Sequence, residues 1–339
     1  MKAYAFDAFG LENLRLLEVP DPAPAADQVV VDVRAFSLNY RDLLVLRGLY
    51  NPKLKLPATP VSDGAGVVSA VGESVRAALR VGDRVMSHFV SGWLDGPFRA
   101  DYTRTALGAP GPGLAAERVA LPATAVLPIP EGLDFKQAAT LPIAALTAWS
   151  ALVTEGRLTA GQTVLTLGTG GVSVFALQFA KALGARVIIT SSSDEKLARA
   201  RALGADDCIN YRATPDWAAR ALELTGGAGV DLTVETVGAG TLDDSLRATR
   251  AGGVVALLGA LAGMKAEINA GQILMKRLRV AGIMVDSRSA FEALNRFIVE
   301  RRIEPVIDRV FGFAQLPAAL EHMQAGRHFG KIVVEGPGA

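Results

Sequence analysis

Residues 163–211 read TVLTLGTGGVSVFALQFAKALGARVIITSSSDEKLARARALGADDCINY. Apolar runs typical of buried strands alternate here with helical segments, in the order strand, glycine turn, helix, strand, helix, strand. Gly168, Gly170 and Gly171 lie where a dinucleotide pyrophosphate meets free backbone N–H groups at a helix N-terminus, although Ser173 replaces the usual third Gly or Ala. The stretch therefore predicts half of a dinucleotide-binding domain. A turn that binds nothing is the alternative, but it would need one glycine rather than three.

Composition bounds the class of protein and the partners. The chain has 339 residues, of which 50% are hydrophobic, and its mean hydropathy is +0.29, which is enough for about two domain cores. Lys and Arg number 35 against 34 Asp and Glu, so the formal charge is only +1. Without a basic run or stripe, we expect no nucleic acid or membrane partner, and a small-molecule substrate instead.

The chain carries no targeting signal that we recognise. Its start, MKAYAFDAFG, lacks a sustained apolar region, and Lys181 interrupts the most apolar helical segment. We therefore expect a cytoplasmic protein without a transmembrane helix. The single cysteine, Cys208, cannot form an internal disulfide and is expected to be a buried, unreactive thiol.

The pattern along the chain predicts an α/β protein in which one domain is inserted into another. Alternating runs separated by Pro- and Gly-rich turns make residues 1–129 β-rich. Helix and strand patterns alternate over residues 130–290, beginning with a long helix at 136–154, and predict a doubly wound parallel sheet. We expect residues 291–339 to return to the β-rich domain, with a ligand cleft between the two domains.

Short segments spread over the whole chain match a known family. They are MKAYAF (1–6), NYRD (39–42), RGLY (47–50), PVSDGAGVVSAVG (60–72), VGDRV (81–85), the glycine turn and GKIV (330–333). On these segments the chain resembles the medium-chain dehydrogenase/reductase superfamily, and within it the zinc-independent quinone oxidoreductase-like branch. The resemblance implies a GroES-like catalytic domain carrying an inserted Rossmann domain, and an NAD(P)H-dependent oxidoreductase.

The chain differs from the zinc enzymes of this superfamily in the residues at the metal-ligand positions. The resemblance places Asn39, Ser62 with Asp63, and a position near Ile143 where those enzymes carry a Cys, a His-Glu pair and a second Cys or acidic residue. A catalytic Zn²⁺ needs about three converging ligands, and one cysteine cannot build the family's four-cysteine zinc lobe. The histidines lie in separate segments and are expected to be surface or packing residues: His88, His322 and His328. We therefore predict no metal site.

The residues after the second predicted strand of the nucleotide domain indicate the cofactor. NAD-dependent proteins usually place a carboxylate there, about 20 residues after the glycine turn, but this chain has Ser191, Ser192 and Ser193. Hydroxyl donors and the charge of Lys196 suit a 2′-phosphate, and Tyr211 completes an arrangement that resembles NADPH-using quinone reductases. These features predict NADPH.

Two observations keep alternatives open at this end of the cofactor site. Ser192 and Glu195 fit a helix capping box, a role that is compatible with cofactor binding. Asp194 and Glu195 leave NADH possible, because charge near the adenosine decides the preference.

Without a metal, hydrogen-bond donors must stabilise the negative charge that hydride transfer creates on oxygen. This requirement favours quinones, enones and other activated double bonds over simple alcohols. Tyr50 matches the tyrosine that related enoyl reductases place over the substrate and is a candidate proton donor, or else an aromatic wall of the cleft. Asn39 is the second candidate catalytic residue, as an amide donor to the nicotinamide ribose or the substrate. Asn39 and Asp42 could instead simply order their loop.

The resemblance and the positions of predicted strand ends extend the cofactor-binding set. Its members are Thr147, Gly168, Thr169, Gly170, Gly171, Val172, Ser191, Ser192, Lys196, Tyr211, Gly238, Gly259, Ala260 and Lys331. Lys331 resembles a lysine near the nicotinamide phosphate, and a solvated terminal charge is the alternative. The predicted strand 280–285 resembles the one that pairs across the two-fold axis of family dimers, so we expect a homodimer.

Two rival functions stay open at this point. One is alcohol or aldehyde dehydrogenation with NAD(P) by a metal-free route, for which the sequence offers no identifiable base. The other is a non-catalytic NADPH-binding protein. Some zinc-free relatives have a structural or RNA-associated role, but the balanced charge of this chain argues against a nucleic-acid partner.

Overall fold

The computed structural model of the chain describes residues 1–75, 77–259, 261, 263 and 265–337. The chain divides into two compact units, Met1–Ala144 with Ser287–Ala339 (unit 1) and Ala145–Asp286 (unit 2). The sequence analysis set the boundaries at 129/130 and 290/291. The difference at the first boundary arises because the helix Phe135–Ala139 packs on strands of unit 1.

The alternating runs at the start of the chain form short strands and few helices. The strands are β1 (Lys2–Ala5), β2 (Arg15–Glu18), β3 (Gln28–Ser37), β4 (Asp63–Val71), β5 (Arg84–Ser87), β6 (Arg118–Pro122) and β7 (Val126–Pro128). The α-helices are α1 (Tyr40–Leu46) and α2 (Phe135–Ala139). Short 3-10 turns in unit 1 cover Leu11–Asn13, Glu73–Val75, Ala100–Thr105, Ala123–Ala125 and Phe313–Gln315.

The predicted helix over 136–154 is wrong as a single element. After α2 come a π-helical turn at Leu141–Ala145, α3 (Leu146–Trp149) and a second π-helical turn at Ser150–Thr154. Pro142 explains the first interruption, because it lacks the N–H and its ring collides with the carbonyl four residues earlier.

Strands and helices alternate regularly through unit 2. The strands are β8 (Thr163–Thr166), β9 (Arg186–Ser191), β10 (Asp207–Asn210), β11 (Val230–Glu235), β12 (Thr249–Leu257) and β13 (Arg279–Gly282). The helices after α3 are α4 (Gly171–Ala182), α5 (Asp194–Ala202), α6 (Trp217–Leu224), α7 (Leu242–Ala248) and α8 (Ala270–Lys276). The strand predicted at 280–285 is shorter and ends at Gly282.

These strands form the predicted doubly wound sheet. All its pairs are parallel, in the order β10-β9-β8-β11-β12-β13. Thr166 at the end of β8 pairs with Ile189 of β9 and Val234 of β11, so the strand order reverses beside β8. In sheets of this kind, ligands bind at that reversal, outside the carboxyl ends of the strands.

Two helices of unit 2 run into the same tetrapeptide, Ala-Leu-Gly-Ala, and its glycine ends each of them. Gly184 follows α4 with φ 82° and Gly204 follows α5 with φ 99°. In this left-handed region a Cβ is strained, so glycine ends each helix and turns the chain into the next strand.

The end of the chain returns to unit 1. Its elements are α9 (Arg288–Arg301), β14 (Ile307–Phe311), α10 (Leu316–Gln324) and β15 (Lys331–Glu335). The main sheet of unit 1 has the order β14-β15-β3-β4-β5-β7, with β6 also paired to β3, while β1 and β2 pair separately. Lys331 thereby lies two strands away from β4, which begins at Asp63.

No helix of the described residues combines the length and apolar character needed to cross a membrane.

Candidate active site

The glycine turn connects β8 to α4 and is fixed from three sides. The N–H of Gly168 donates to the Thr190 hydroxyl (3.2 Å). The Leu167 carbonyl accepts from the hydroxyls of Ser173 (2.6 Å) and Thr236 (2.7 Å). Ser173, which departs from the glycine fingerprint, thus closes the turn with its side chain.

The start of α4 fits an anionic group of a dinucleotide. Gly170 is the N-cap residue of α4, and no described side chain caps this helix end. Thr169 is buried, and Gly171 and Val172 form the first turn of the helix. The uncapped N–H groups and the helix dipole are the features that bind phosphate.

At the end of β9 the structure brings together three residues predicted to bind cofactor. Ser191 is buried, its hydroxyl accepts from the N–H of Ser193 (3.3 Å), and its carbonyl accepts from the N–H of Tyr211 (3.1 Å). Ser192, which lies between Ser191 and Ser193 in the chain, is half-buried. Tyr211 is 41% exposed. Their common position is the expected place for an adenosine ribose.

The cap of α5 differs from the predicted one. Ser193, not Ser192, is the N-cap, and its hydroxyl accepts from the N–H of Lys196 (3.4 Å). Ser192 is therefore not engaged in the predicted capping box with Glu195. Asp194 accepts from the Asn210 amide (2.7 Å) on the exposed first turn of α5.

A buried carboxylate that the sequence analysis missed organises the end of β11. Glu235 is fully buried and accepts from the N–H groups of Val237 (2.8 Å) and Gly238 (2.9 Å). It also accepts from the hydroxyls of Thr241 (2.8 Å) and Ser245 (2.5 Å). An acidic residue closing an apolar strand and followed by hydroxyl residues was the signal that could have revealed this network.

A cleft of about 360 Å³ lies next to this network, at the carboxyl ends of β11, β12 and β13. It is lined by Gly238, Ala239, Leu242, Leu257, Leu258, Gly259, Gly263, Ala266, Gly282, Ile283 and Met284. Two predicted cofactor-binding residues, Gly238 and Gly259, therefore line one cleft. A Cβ on Gly259 would lie 1.6 Å from the Thr236 carbonyl oxygen, which requires glycine there. Ala260 lies outside the described residues, and Thr147 is buried in α3.

In unit 1, Asn39 begins α1 and lies against a buried charged cluster. The cluster comprises Asp42, Asp63 and Lys331, each no more than 2% exposed. The N–H of Asn39 donates to Asp42 (2.8 Å), and its side-chain amide donates to Asp63 (2.8 Å). The Lys331 ammonium donates to the Asn39 side-chain oxygen (2.7 Å) and to the Leu38 carbonyl (2.8 Å).

Burial shifts the acid-base properties of this cluster. Loss of hydration raises the pKa of Asp42 to about 6 and raises the pKa of Asp63. Burial also lowers the pKa of Lys331, against the attraction of the two carboxylates. Lys331 is thus an interior residue bonded to the Asn39 loop, rather than a solvated terminal charge.

Tyr50 follows α1 and is 41% exposed. Its ring stacks on the Arg41 guanidinium, whose carbon lies 4.4 Å from the ring centroid, and the Phe89 ring lies 4.8 Å from the same carbon. Arg41 also donates to the Ser62 hydroxyl (2.5 Å) and the Ala109 carbonyl (2.7 Å). This fixed cation orients the Tyr50 ring and leaves the phenol accessible. Arg41 had no predicted role.

The residues at the positions of zinc ligands do come together, but they do not fit zinc. Asp63 accepts from Asn39 and from the N–H of Ile143 (3.3 Å). The Ser62 hydroxyl is engaged with Arg41 and the Leu107 carbonyl (3.0 Å). Within the described part of the chain, no group of three His, Cys, Asp or Glu could hold a metal ion. His88 is fully buried and bonds to the backbone rather than joining such a group: its Nε2–H donates to the Trp93 carbonyl (3.2 Å).

Comparison with known proteins agrees with this architecture. Residues 25–131 match the family described as alcohol dehydrogenase GroES-like domain, and residues 171–300 match the family described as zinc-binding dehydrogenase. A zinc-type alcohol dehydrogenase-like protein of Schizosaccharomyces pombe is 43% identical over 314 residues, which cover 91% of this chain and 90% of that protein.

Solved structures give the same result. The crystal structure of an NAD-dependent alcohol dehydrogenase has a TM-score of 0.90 and 34% identity, covering 99% of both chains. That of Escherichia coli quinone oxidoreductase complexed with NADPH has a TM-score of 0.86 and 25% identity, covering 99% of this chain and 100% of that one. On its sequence, its GroES-like and Rossmann folds and these relatives, the chain belongs to the medium-chain dehydrogenase/reductase superfamily and is an oxidoreductase.

Proposed function

We propose that this protein reduces a quinone, an enone or another activated C=C or C=O bond with hydride from NADPH, and that it does so without zinc. The observation that carries the proposal is the bonding of Asn39, Asp63 and Lys331 to one another. The resemblance places Asn39 and Asp63 at positions where zinc enzymes of the family carry metal ligands, and here their polar atoms bind each other and Lys331 instead. Ser62 is likewise engaged by Arg41 and Leu107.

The substrate class follows from the available donors. A bound nicotinamide would supply hydride to an electron-poor carbon. The Asn39 amide and the Tyr50 phenol would then stabilise charge on the conjugated oxygen, and Tyr50 would return a proton. Conjugation spreads the incoming electrons, so neutral donors suffice, whereas oxidation of a simple alcohol requires an activated alkoxide.

The end of β9 supports NADPH over NADH. The strand finishes in Ser191 and Ser192, where an NAD enzyme usually has a carboxylate. Lys196 lies on the first turn of α5, and the Tyr211 backbone is bonded to Ser191, so hydroxyls and a cation surround this position. Escherichia coli quinone oxidoreductase, which was crystallised with NADPH, shares the fold. The acidic first turn of α5 and the NAD-dependent relative make NADH the alternative.

The test measures the rate at which chelator-treated protein oxidises NADPH and NADH. The acceptors are quinones, enones, enoyl thioesters and aldehydes, each with and without added zinc. The proposal predicts turnover of conjugated acceptors, faster with NADPH and unchanged by zinc. Alcohol oxidation that appears only after zinc is added would support the dehydrogenase alternative. Tight NADPH binding without turnover on any acceptor would support a non-catalytic role.

A further inference from the structure

The Asn39 side chain is held by a lysine from the far end of the sequence. Lys331, on β15, donates to its Oδ1 atom (2.7 Å), and Asp63, on β4, accepts from its Nδ2 atom (2.8 Å). The Lys331 Nζ and the nearer Asp63 oxygen lie 3.6 Å apart. One side-chain amide is thus held between the two members of a buried ion pair.

Such a pair dictates which way the amide faces. An ammonium group only donates and a carboxylate only accepts, so the amide oxygen must face Lys331 and the amide nitrogen must face Asp63. One N–H of that nitrogen is bonded to Asp63, and the other has no acceptor among the described residues. Asn39 is half-buried, unlike Asp63 and Lys331, which hold it and are buried.

Stability alone does not explain this arrangement. Burying two charges costs hydration free energy, and a well-packed apolar pair of similar volume is often as stable. Asp63 is fully buried and Lys331 is 2% exposed, so both charges bear that cost.

We propose that Lys331 and Asp63 are positioning residues, which fix the Asn39 amide so that its remaining N–H is a hydrogen-bond donor to the substrate oxygen. This role rests on the proposed function. If the amide turned over, it would present an acceptor to an oxygen that gains negative charge, and transition-state stabilisation would be lost.

The test is a double-mutant cycle with two readouts, the melting temperature and kcat with NADPH and an enone. Lys331→Met or Asp63→Asn alone leaves one buried charge without its partner and should lower the melting temperature by about 10 °C. The double variant removes both charges and should recover to within about 3 °C of the wild type. Its kcat should nevertheless stay about 10²-fold low, because an amide at position 63 no longer selects one orientation of Asn39.

A third substitution checks that the effect passes through Asn39. Asn39→Ala in the wild type should lower kcat about 10²-fold, but in the double variant it should cost no more than about 2-fold. Lys331→Arg keeps a cation and its donors, so it should retain most of the kcat that Lys331→Met loses. If the double variant does not fold, the kcat of Lys331→Arg relative to Lys331→Met tests the positioning role instead.

A matched control pairs Glu335, on the same strand as Lys331, with Lys136 on α2. Lys136 and Glu335 form an ion pair (3.0 Å) that is about 40% exposed, and Lys136→Met with Glu335→Gln should leave kcat unchanged. Recovery of kcat together with the melting temperature in the Lys331/Asp63 double variant would overturn the positioning role. So would a further 10²-fold loss on adding Asn39→Ala. A wild type without turnover on any conjugated acceptor would instead overturn the proposed function itself.

Discussion

Tyr50 is a side chain whose hydroxyl can be tested separately from its ring. Its ring contacts the Arg41 guanidinium, and this cation–π contact survives in phenylalanine. If the phenol returns the proton, Tyr50→Phe should lower kcat about 10²-fold on enones with little change in KM. Steady-state kinetics measures this.

Tyr4→Phe is the control for loss of a phenol, because Tyr4 is buried and its ring packs against Phe313. It should keep wild-type kcat. An unchanged kcat in Tyr50→Phe would mean that the proton comes from water and that Tyr50 only shapes the cleft.

His88 gives unit 1 a pH-dependent stability. Burial lowers its pKa to about 4, from 6.5 for the exposed side chain. Between these values the unfolded chain binds the proton more readily, so the contribution of His88 is complete above pH 6.5 and falls as the pH is lowered towards 4. By pH 5 the loss should be about 2 kcal/mol of the free energy of unfolding.

Comparison of the wild type with His88→Gln isolates this effect by urea unfolding at pH 7 and pH 5. The comparison is needed because the pKa of Asp42 is raised to about 6, and that acid changes stability in the opposite direction in both proteins. The difference in unfolding free energy between the two proteins should shrink as the pH falls. A difference that does not vary with pH would show that His88 has an ordinary pKa in the folded protein.

At the scale of elements, the Glu235 network holds the loop that lines the cleft after β11. Four donors surround its carboxylate, and Glu235→Gln would replace charge-assisted bonds by neutral ones and turn an NH₂ group towards the hydroxyls of Thr241 and Ser245, which must then accept instead of donate. We expect a loss of about 3 kcal/mol in the free energy of unfolding, and weaker NADPH binding, because Gly238 and Ala239 line the cleft. Denaturant unfolding and a fluorescence titration measure the two effects.

Glu223→Gln is the matched control, because the Glu223 side chain lies at the surface and its ion pair with Arg220 is exposed. It should change stability by less than about 0.5 kcal/mol. A Glu235→Gln variant as stable as this control would show that the network does not hold the loop.

Elements with a strong local signal were predictable from the sequence. The order strand, glycine turn, helix, strand, helix, strand that residues 163–211 predict is confirmed by β8, α4, β9, α5 and β10, since each of these elements depends mainly on neighbouring residues. The helix over 136–154 failed because apolar periodicity does not register the effect of Pro142.

The candidate site was less predictable because its contacts are distant along the chain. Asn39 and Asp63 were singled out, but Lys331 meets them from 292 residues beyond Asn39, through the pairing of β15 with β3. Ser173 and Glu235 act through hydrogen bonds that depend on the folded turn. Spacing alone gives no sign of such contacts.

At the scale of the whole molecule, we propose a homodimer formed through β13. This strand is at the edge of its sheet, paired to β12, and no described strand covers its other side. Leu274 and Met275 on α8 are 75% and 81% exposed. Open strand edges and large exposed apolar side chains are features that association covers.

Light scattering after size exclusion should give about 71 kDa, twice the chain mass of 35.5 kDa, at micromolar concentration. Leu274→Glu with Met275→Glu should shift the mass towards the monomer. A wild type that elutes with the single-chain mass would contradict the dimer.

Hydride transfer to a conjugated acceptor without zinc can be followed with deuterium, using NADPH labelled at the reactive carbon of the nicotinamide ring. Chelator-treated protein is incubated with the labelled cofactor and a cyclic enone, and the product is analysed by NMR and mass spectrometry. If the protein is a zinc-free reductase, we expect a saturated ketone with one deuterium on the carbon β to the carbonyl, formed at the same rate with or without zinc. Two results together would contradict the zinc-free reductase proposal. The enone would be recovered unchanged, and hydride would pass between the cofactor and a simple alcohol only when zinc is present.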